Sequence, residues 1–222
     1  MSELPKATLG RTGLEVTRLG YGAMELRGTD HFPKLSPPEA SAILNGVLDS
    51  GINYIDTSPD YGYSEELIGR HIAARRDEFH LASKCGCPVE PADVAHGARK
   101  PHSFTRENIR AGVEQSLRRM RTDYLDVVQF HISPARAVLE ENDSLAELDA
   151  LRKEGKVRFT GMSGTIPELA EHIRMGVFDV FQIPYSLVER EHEELIHEAA
   201  LAGAGVVIRG GVARGVIVKD ES

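Results

Sequence analysis

Four polar side chains that could move a proton together follow separate apolar segments of the chain. In sequence order they are Asp56, Tyr61, Lys84 and His131. A tyrosine with its ordinary pKa near 10 is a poor acid at neutral pH. A nearby ammonium group favours the ionised phenol, an imidazole can hydrogen-bond the same oxygen, and a carboxylate keeps the ammonium charged and oriented. Together the four side chains predict a proton-donating site.

The four side chains converge only if their segments are parallel strands of one sheet. Short apolar segments alternate along the chain with longer amphipathic ones, and this strict order predicts a parallel sheet covered by helices. The predicted strands are residues 18–22, a segment ending at 56, 79–84, 125–131, 157–163, 180–184 and 205–209. The predicted helices cover residues 38–50, 64–74, 105–120, 144–153, about 165–175 and 191–202.

The fold class predicted from this order is α/β, specifically a (β/α)8 TIM barrel with an N-terminal β-hairpin over residues 7–16. A doubly wound sheet competes with it, but its polar residues would gather at one switch point rather than after many strands. We expect a single domain over residues 1–222 that lacks the last βα unit, because seven strands are readable and a closed barrel needs eight.

Local signals add detail to this outline. Three capping-box patterns predict helix starts, at Ser36 with Glu39, Ser144 with Glu147, and Thr165 with Glu168. A long insert over residues 85–103 has the length of a functional or mobile loop.

Composition limits the function. The formal charge of −8 disfavours a nucleic-acid partner, and no apolar run approaches the roughly 20 residues that span a bilayer. Two cysteines and the lack of a signal-like N-terminus predict a cytoplasmic protein. The sequence Cys85-x-Cys87 with His96 and His102 matches no common zinc spacing, so no metal site is predicted.

The chain as a whole resembles the aldo-keto reductases. Residues 9–16 with 19–22 are similar to that family's opening hairpin and first strand, and residues 155–158 with 161–163 to its fifth strand. Residues 51–58 with 61–65 are similar to its most specific signature. Lys84 in Ala-Ser-Lys and His131 in Gln-Phe-His stand where the family has its lysine and histidine.

The resemblance implies reduction of aldehydes or ketones to alcohols, with a hydride from a reduced nicotinamide. Tyr61 would give the proton to the carbonyl oxygen, Lys84 would tune it, His131 would orient the substrate, and Asp56 would hold Lys84. The implied cofactor is NADPH, with NADH possible. A dinucleotide-binding glycine fingerprint is absent, which is compatible because the family binds the cofactor extended across the barrel mouth.

The resemblance also implies a cofactor-binding set, with departures. Ser163 and Gln182 would bind the nicotinamide carboxamide, although Gly164 stands where many members have asparagine. Arg209 and Gly210 stand where many relatives have an aromatic-serine-proline run, so Arg209 is predicted to contact the cofactor. Arg214 is a pyrophosphate candidate or a solvated arginine.

Two other functions stay open at this stage. One is a cofactor-binding sensor or regulatory module of the same fold; the other is a non-redox barrel lyase or isomerase that uses Tyr61 and Lys84. The expected partner is a small carbonyl substrate, with no nucleic acid and no membrane. The chain is expected to be a monomer or a weak homo-oligomer.

Overall fold

The computed structural model describes residues 3–28, 33–89 and 101–212. Within these ranges, seven parallel strands, β3 to β9, form one sheet in chain order, and an antiparallel hairpin of β1 and β2 precedes it. The sheet curves into a nearly closed barrel, as the alternation of strands and helices predicts. The strands are β1 Lys6–Thr8, β2 Glu15–Thr17, β3 Tyr21–Gly22, β4 Tyr54–Asp56, β5 His80–Cys85, β6 Leu125–Phe130, β7 Val157–Ser163, β8 Val180–Pro184 and β9 Gly205–Arg209.

Helices connect the strands and cover the outside of the sheet. They are α1 Pro37–Asp49, α2 Ser64–His71, α3 Arg106–Met120, α4 Arg136–Glu141, α5 Ser144–Lys153, α6 Leu169–Met175 and α7 Glu193–Leu201, with 3-10 segments at Gly10–Thr12, Ala23–Arg27 and Ala73–Glu78. No helix within the described ranges combines the length and the apolar character that crossing a bilayer requires.

Alternation along each strand sorts side chains into two cores. Leu81, Val128 and Phe130 belong to the larger core, which includes residues of the surrounding helices. Ala82 and Val127 belong to a smaller core with residues of the N-terminal hairpin. Because side chains on one strand face share a period of two, the polar residues two positions further along these strands lie on the inner face. The barrel mouth is therefore polar above an apolar floor.

The hairpin seals the floor of the barrel. Leu9 and Leu14 are buried in the smaller core, and the backbone N–H of Arg11 donates to the Gly203 carbonyl at 2.8 Å. A Cβ on Gly205 would lie 2.6 Å from Leu9 Cγ, so glycine is required for this close approach. The sealed floor places the opposite, carboxyl end of the strands at the open mouth.

Several local predictions are wrong in detail. The first barrel strand is only Tyr21–Gly22 rather than residues 18–22, and α4 was not predicted. The Ser36–Glu39 capping box is confirmed. Ser144 does not cap α5, because its hydroxyl donates to the Phe104 carbonyl instead. The helix after Thr165 begins only at Leu169.

One ionic network joins three strands below the mouth. The buried Asp126 carboxylate accepts from Arg76 at 2.7 Å, from Arg158 at 2.7 Å and from the Leu81 backbone N–H at 2.9 Å. Burial by itself raises the pKa of Asp126, but hydrogen bonds from His80 and Leu81 and the charge of Arg76 outweigh it and hold that pKa well below its usual range.

We expect this network to make stability depend on acid pH. Because the folded-state pKa of Asp126 is lowered, its contribution is complete above the unfolded value of about 3.9 and is lost as pH falls below it. The slope approaches about 1.4 kcal/mol per pH unit for one proton. Replacing Asp126 with asparagine should cost about 1.5–3 kcal/mol at neutral pH and reduce the acid slope.

Urea unfolding between pH 2 and pH 7 measures both effects. Asp149→Asn is the matched control, because the pairs of Asp149 with Arg152 and Lys153 lie at the surface, where ion pairs contribute little to stability. Equal acid slopes for Asp126→Asn and the parent chain would contradict the assignment.

Candidate active site at the barrel mouth

A buried lysine–aspartate pair forms the base of the site. Lys84, at the end of β5, is 1% exposed. Its ammonium donates to both carboxylate oxygens of Asp56, at 3.0 and 2.8 Å, and to the Thr57 carbonyl at 2.8 Å. These bonds use all three ammonium protons, so the charged end is fixed in one place.

The surroundings keep Lys84 protonated. Burial lowers the pKa of Lys84, but the charge of Asp56, the nearby Tyr61 and the hydrogen bonds to Asp56 outweigh burial, and the net pKa is raised. Gln129, on the neighbouring strand β6, donates to Asp56 Oδ1 at 3.1 Å. The carboxylate is thus held from two sides, and a permanent positive charge lies under the mouth.

Tyr61 lies on the turn between β4 and α2, directly over this charge. The Lys84 ammonium is 5.2 Å from the centre of the Tyr61 ring, and the Arg27 guanidinium is 5.7 Å from it. The turn requires Gly62, which has φ of 48° and whose Cβ would lie 2.1 Å from the Arg27 carbonyl oxygen. The turn that carries Tyr61 packs closely against the end of the 3-10 segment Ala23–Arg27, and this contact fixes the position of the tyrosine.

His131 lies on the other side of the tyrosine. Its ring centre is 6.3 Å from that of Tyr61, with the planes at 82°. Burial lowers the pKa of His131, Asp60 raises it through a hydrogen bond, and the positive charge of Lys84 lowers it further, with a net lowering. The imidazole is therefore mostly neutral at pH 7 and can both donate and accept a hydrogen bond.

Three more polar side chains surround the imidazole. Its Nδ1 lies 3.2 Å from Cys87 Sγ, 3.3 Å from His102 Nε2 and 3.4 Å from Asp60 Oδ2. Burial first, and then the negative charge of Asp60, raise the pKa of the Cys87 thiol well above its ordinary value. His102 donates to Asp60 at 3.0 Å.

The predicted cofactor residues lie along adjacent strand ends of the same mouth. Ser163, the last residue of β7, pairs in register with Gln182 of β8, and its hydroxyl donates to Gln182 Oε1 at 3.3 Å. Both are buried. Arg209 ends β9 opposite Pro184 and is exposed, and Gly210 follows it with φ of 73°. Arg214 lies outside the described residues.

The structure brings together all four residues predicted for proton transfer. Sequence reasoning missed Gln129, which supports Asp56, and it missed Asp60 as a partner of two histidines. The signal for Gln129 was its position between Val127 and His131, in the phase that faces the barrel interior. Asp60 carried no comparable signal, because a carboxylate in a turn is most often solvated.

The arrangement suits one kind of chemistry. A phenol that gives up its proton leaves a negative charge, and the buried, fixed Lys84 ammonium stabilises that charge. His131 offers a hydrogen bond from the side of the same ring. The mouth can therefore protonate an oxygen atom placed between Tyr61 and His131.

Comparison with known proteins identifies the family of the chain. Residues 18–222 match the profile of the Aldo/keto reductase family. An uncharacterized oxidoreductase of Bacillus subtilis (strain 168) is 31% identical over 96% of this chain and 67% of its own length. An NADH-specific methylglyoxal reductase of Escherichia coli (strain K12) is 28% identical over 86% of this chain and 61% of its own.

A solved structure points to the same family. The holo form of an aldo-keto reductase from Bacillus halodurans superimposes with a TM-score of 0.84 and is 28% identical, covering 99% of this chain and 70% of that one. This chain spans about two thirds of the length of such relatives. Profile, sequence and structure agree, and the chain belongs to the aldo/keto reductase family of NAD(P)H-dependent oxidoreductases.

Proposed function

We propose that this chain reduces small aldehydes or ketones to alcohols, with Tyr61 as the proton donor. The observation that carries the proposal is the buried, fully hydrogen-bonded Lys84 ammonium 5.2 Å from the centre of the Tyr61 ring. A tyrosine without a chemical role would not need a buried ammonium beside its ring. Burying a lysine requires compensating partners, and here its charge lies next to the Tyr61 ring.

Each residue then has one role. Tyr61 donates its proton to the carbonyl oxygen, and Lys84 stabilises the phenolate that is left. Asp56, itself held by Gln129, keeps the ammonium charged and in place. His131 hydrogen-bonds the carbonyl oxygen and so orients the substrate.

The polar groups at the ends of β7 and β8 fit a nicotinamide. A carboxamide has one donor group and one acceptor, and the Ser163 hydroxyl with the Gln182 amide offers a partner for each. Their mutual hydrogen bond is long, 3.3 Å, and is easily exchanged. When bound, the reduced cofactor supplies the hydride. NADPH is the cofactor we propose; NADH is the alternative, and one relative is named NADH-specific.

Arg209 is proposed to bind the cofactor through its guanidinium, by stacking or by a phosphate contact. Replacing Arg209 with alanine should weaken binding of the dinucleotide about ten- to a hundredfold, the range expected for one charge-assisted contact. Fluorescence titration of NADPH measures this dissociation constant. Arg11→Ala, which removes an arginine bound to the Ala202 carbonyl at the barrel floor, is the matched control. Unchanged affinity in Arg209→Ala would exclude this role.

The proposed activity is tested by the loss of reduced-nicotinamide absorbance with a panel of simple aldehydes and ketones. NADPH and NADH are compared in parallel. We expect turnover with at least one carbonyl compound and a preference for NADPH. Cofactor binding without turnover in the folded chain would favour a sensor or regulatory module. Failure to bind either dinucleotide would favour a non-redox lyase or isomerase.

A further inference from the structure

Four ligand-type atoms from four separate segments meet beside the catalytic tyrosine. They are a carboxylate oxygen of Asp60, Sγ of Cys87, Nε2 of His102 and Nδ1 of His131, and all lie within 4.8 Å of one another. We propose that these four side chains form a four-coordinate site for Zn²⁺. The proposal stands apart from carbonyl reduction, although the two sites share His131.

Four of the six distances between the ligand atoms are close to those of a tetrahedral metal shell. Bonds of about 2.0–2.3 Å to nitrogen, oxygen and sulfur imply distances of roughly 3.3–3.7 Å between ligands around tetrahedral zinc. The pairs observed are 3.0 Å for His102 with Asp60, 3.4 Å for His131 with Asp60, and 3.3 Å between the two imidazoles. Cys87 Sγ is 3.2 Å from His131. The other two pairs, Cys87 Sγ with Asp60 and with His102, lie within 4.8 Å, so enclosing an ion requires the ligands to close in by at most about 1 Å.

Hydrogen bonding accounts for only one of the three contacts at Nδ1 of His131. The Nδ1 atom of a neutral imidazole makes one in-plane hydrogen bond, as a donor or as an acceptor. In this structure it faces a carboxylate, a thiol and a second imidazole, each at 3.2–3.4 Å. At most one of the three contacts can be a well-formed hydrogen bond. A cation at the centre of the four atoms would satisfy all of them at once.

The backbone holds the ligand segments together. The Asn108 amide donates to the Cys87 carbonyl at 3.0 Å and to the Ser103 carbonyl at 2.7 Å. The Ser103 N–H donates to the Gly86 carbonyl, and the His131 N–H donates to the Cys85 carbonyl. The residues next to three of the ligands are thus pinned to one another. A site already assembled in this way loses little conformational entropy when a metal binds.

The ligand set favours zinc over harder cations. A thiolate and two imidazoles suit Zn²⁺, whereas Mg²⁺ and Ca²⁺ prefer oxygen ligands only. Ser58 adds outer support, with its hydroxyl 3.5 Å from Cys87 Sγ and accepting from the Asp60 N–H. Such outer contacts orient metal ligands. The spacing along the sequence gave no zinc pattern because the ligands come from four distant segments rather than two short motifs.

Cobalt titration of the full chain tests the proposal. The protein is reduced, freed of metal with a chelator, and titrated with Co²⁺ while its absorption spectrum is recorded. We expect one equivalent to bind with intense visible bands of four-coordinate cobalt and a thiolate charge-transfer band, and one equivalent of Zn²⁺ to abolish both. The dissociation constant for Zn²⁺ should be about 1 μM or tighter.

Variants assign the ligands. Cys87→Ala should remove the charge-transfer band, and His102→Ala should weaken zinc binding at least about a hundredfold, since even outer-shell changes cost ten- to a hundredfold. Cys85→Ala and His197→Ala are matched controls, because Cys85 is buried in the larger core and His197 is exposed on α7. Both variants should bind zinc as tightly as the parent chain. Circular dichroism checks folding, and if Cys87→Ala does not fold, His102→Ala decides the question.

Three results would overturn the zinc site. They are a folded parent chain without the cobalt bands, a charge-transfer band that survives in Cys87→Ala, and zinc binding of unchanged strength in His102→Ala. All are read from absorbance and metal content, so they do not depend on whether the chain reduces carbonyl compounds.

Discussion

Replacing Tyr61 with phenylalanine is expected to lower kcat for carbonyl reduction by about 10²- to 10⁴-fold, the usual contribution of a positioned general acid. The substitution removes one hydroxyl and leaves the ring between Lys84, Arg27 and His131. Binding of the dinucleotide should change little, because Ser163, Gln182 and Arg209 are the residues proposed to hold it. The expected loss is therefore in kcat rather than in cofactor affinity.

Steady-state kinetics and a cofactor titration on the same preparations separate these effects. Tyr124→Phe is the matched control, because Tyr124 packs on Arg76 at 4.1 Å next to the start of β6, at the floor end of the barrel. The control should keep the parent rate. If Tyr61→Phe turns over like Tyr124→Phe, another group donates the proton and the proposed role of Tyr61 is wrong.

Replacing Lys84 with methionine is expected to reduce both activity and stability. The methionine fills most of the same volume but leaves the Asp56 carboxylate without its cation. Among the residues that the structure describes, Gln129 is then its remaining hydrogen-bonding side chain. Breaking a buried ion pair from one side costs about 3–5 kcal/mol. Activity should fall as well, because no charge is left to stabilise the phenolate of Tyr61.

A double substitution distinguishes the two consequences. Asp56→Asn together with Lys84→Met removes both charges, so urea unfolding should show the double variant to be more stable than Lys84→Met alone. Its activity should stay as low as that of the single variant. A double variant no more stable than Lys84→Met would show that the buried carboxylate is not the source of the instability.

β7, β8 and β9 have the predicted bounds. The reason is clearest for β8, in which residues 180–183 are all buried, because a parallel strand covered by helices forms a short apolar run between turn residues. Helix α4 was not predictable in the same way. Only Leu139 is buried among its residues, so it has no apolar stripe, and a helix without one leaves no periodic signal.

The capping boxes show how tertiary contacts override a local pattern. Ser144 and Glu147 have the right spacing for a box at α5. In the fold, the Ser144 hydroxyl donates to the Phe104 carbonyl, and Glu147 pairs with Arg106 and Arg110 of α3. Neither side chain is left to cap the helix. These partners are about 40 residues away in sequence, so no local reading could find them.

In the candidate site too, strand phase was readable from the sequence and long-range contacts were not. The inward direction of Asp56, Lys84 and His131 follows from strand phase, and the sequence therefore predicted their proximity. The contacts of Cys87 and His102 with His131 depend on how the segments flanking residues 90–100 return to the mouth. Nothing in the spacing of those residues specifies that path.

The central claim is that a hydride and a proton reach one carbonyl group at this mouth. It is tested most directly by supplying reduced nicotinamide that carries deuterium at its transferable position, together with an aldehyde, and determining the mass of the alcohol. We predict one deuterium on the former carbonyl carbon for each cofactor oxidised, and none of this product with Tyr61→Phe on the same time scale. Cofactor oxidised without deuterium in the alcohol, or no alcohol from the folded and cofactor-bound chain, would contradict the account.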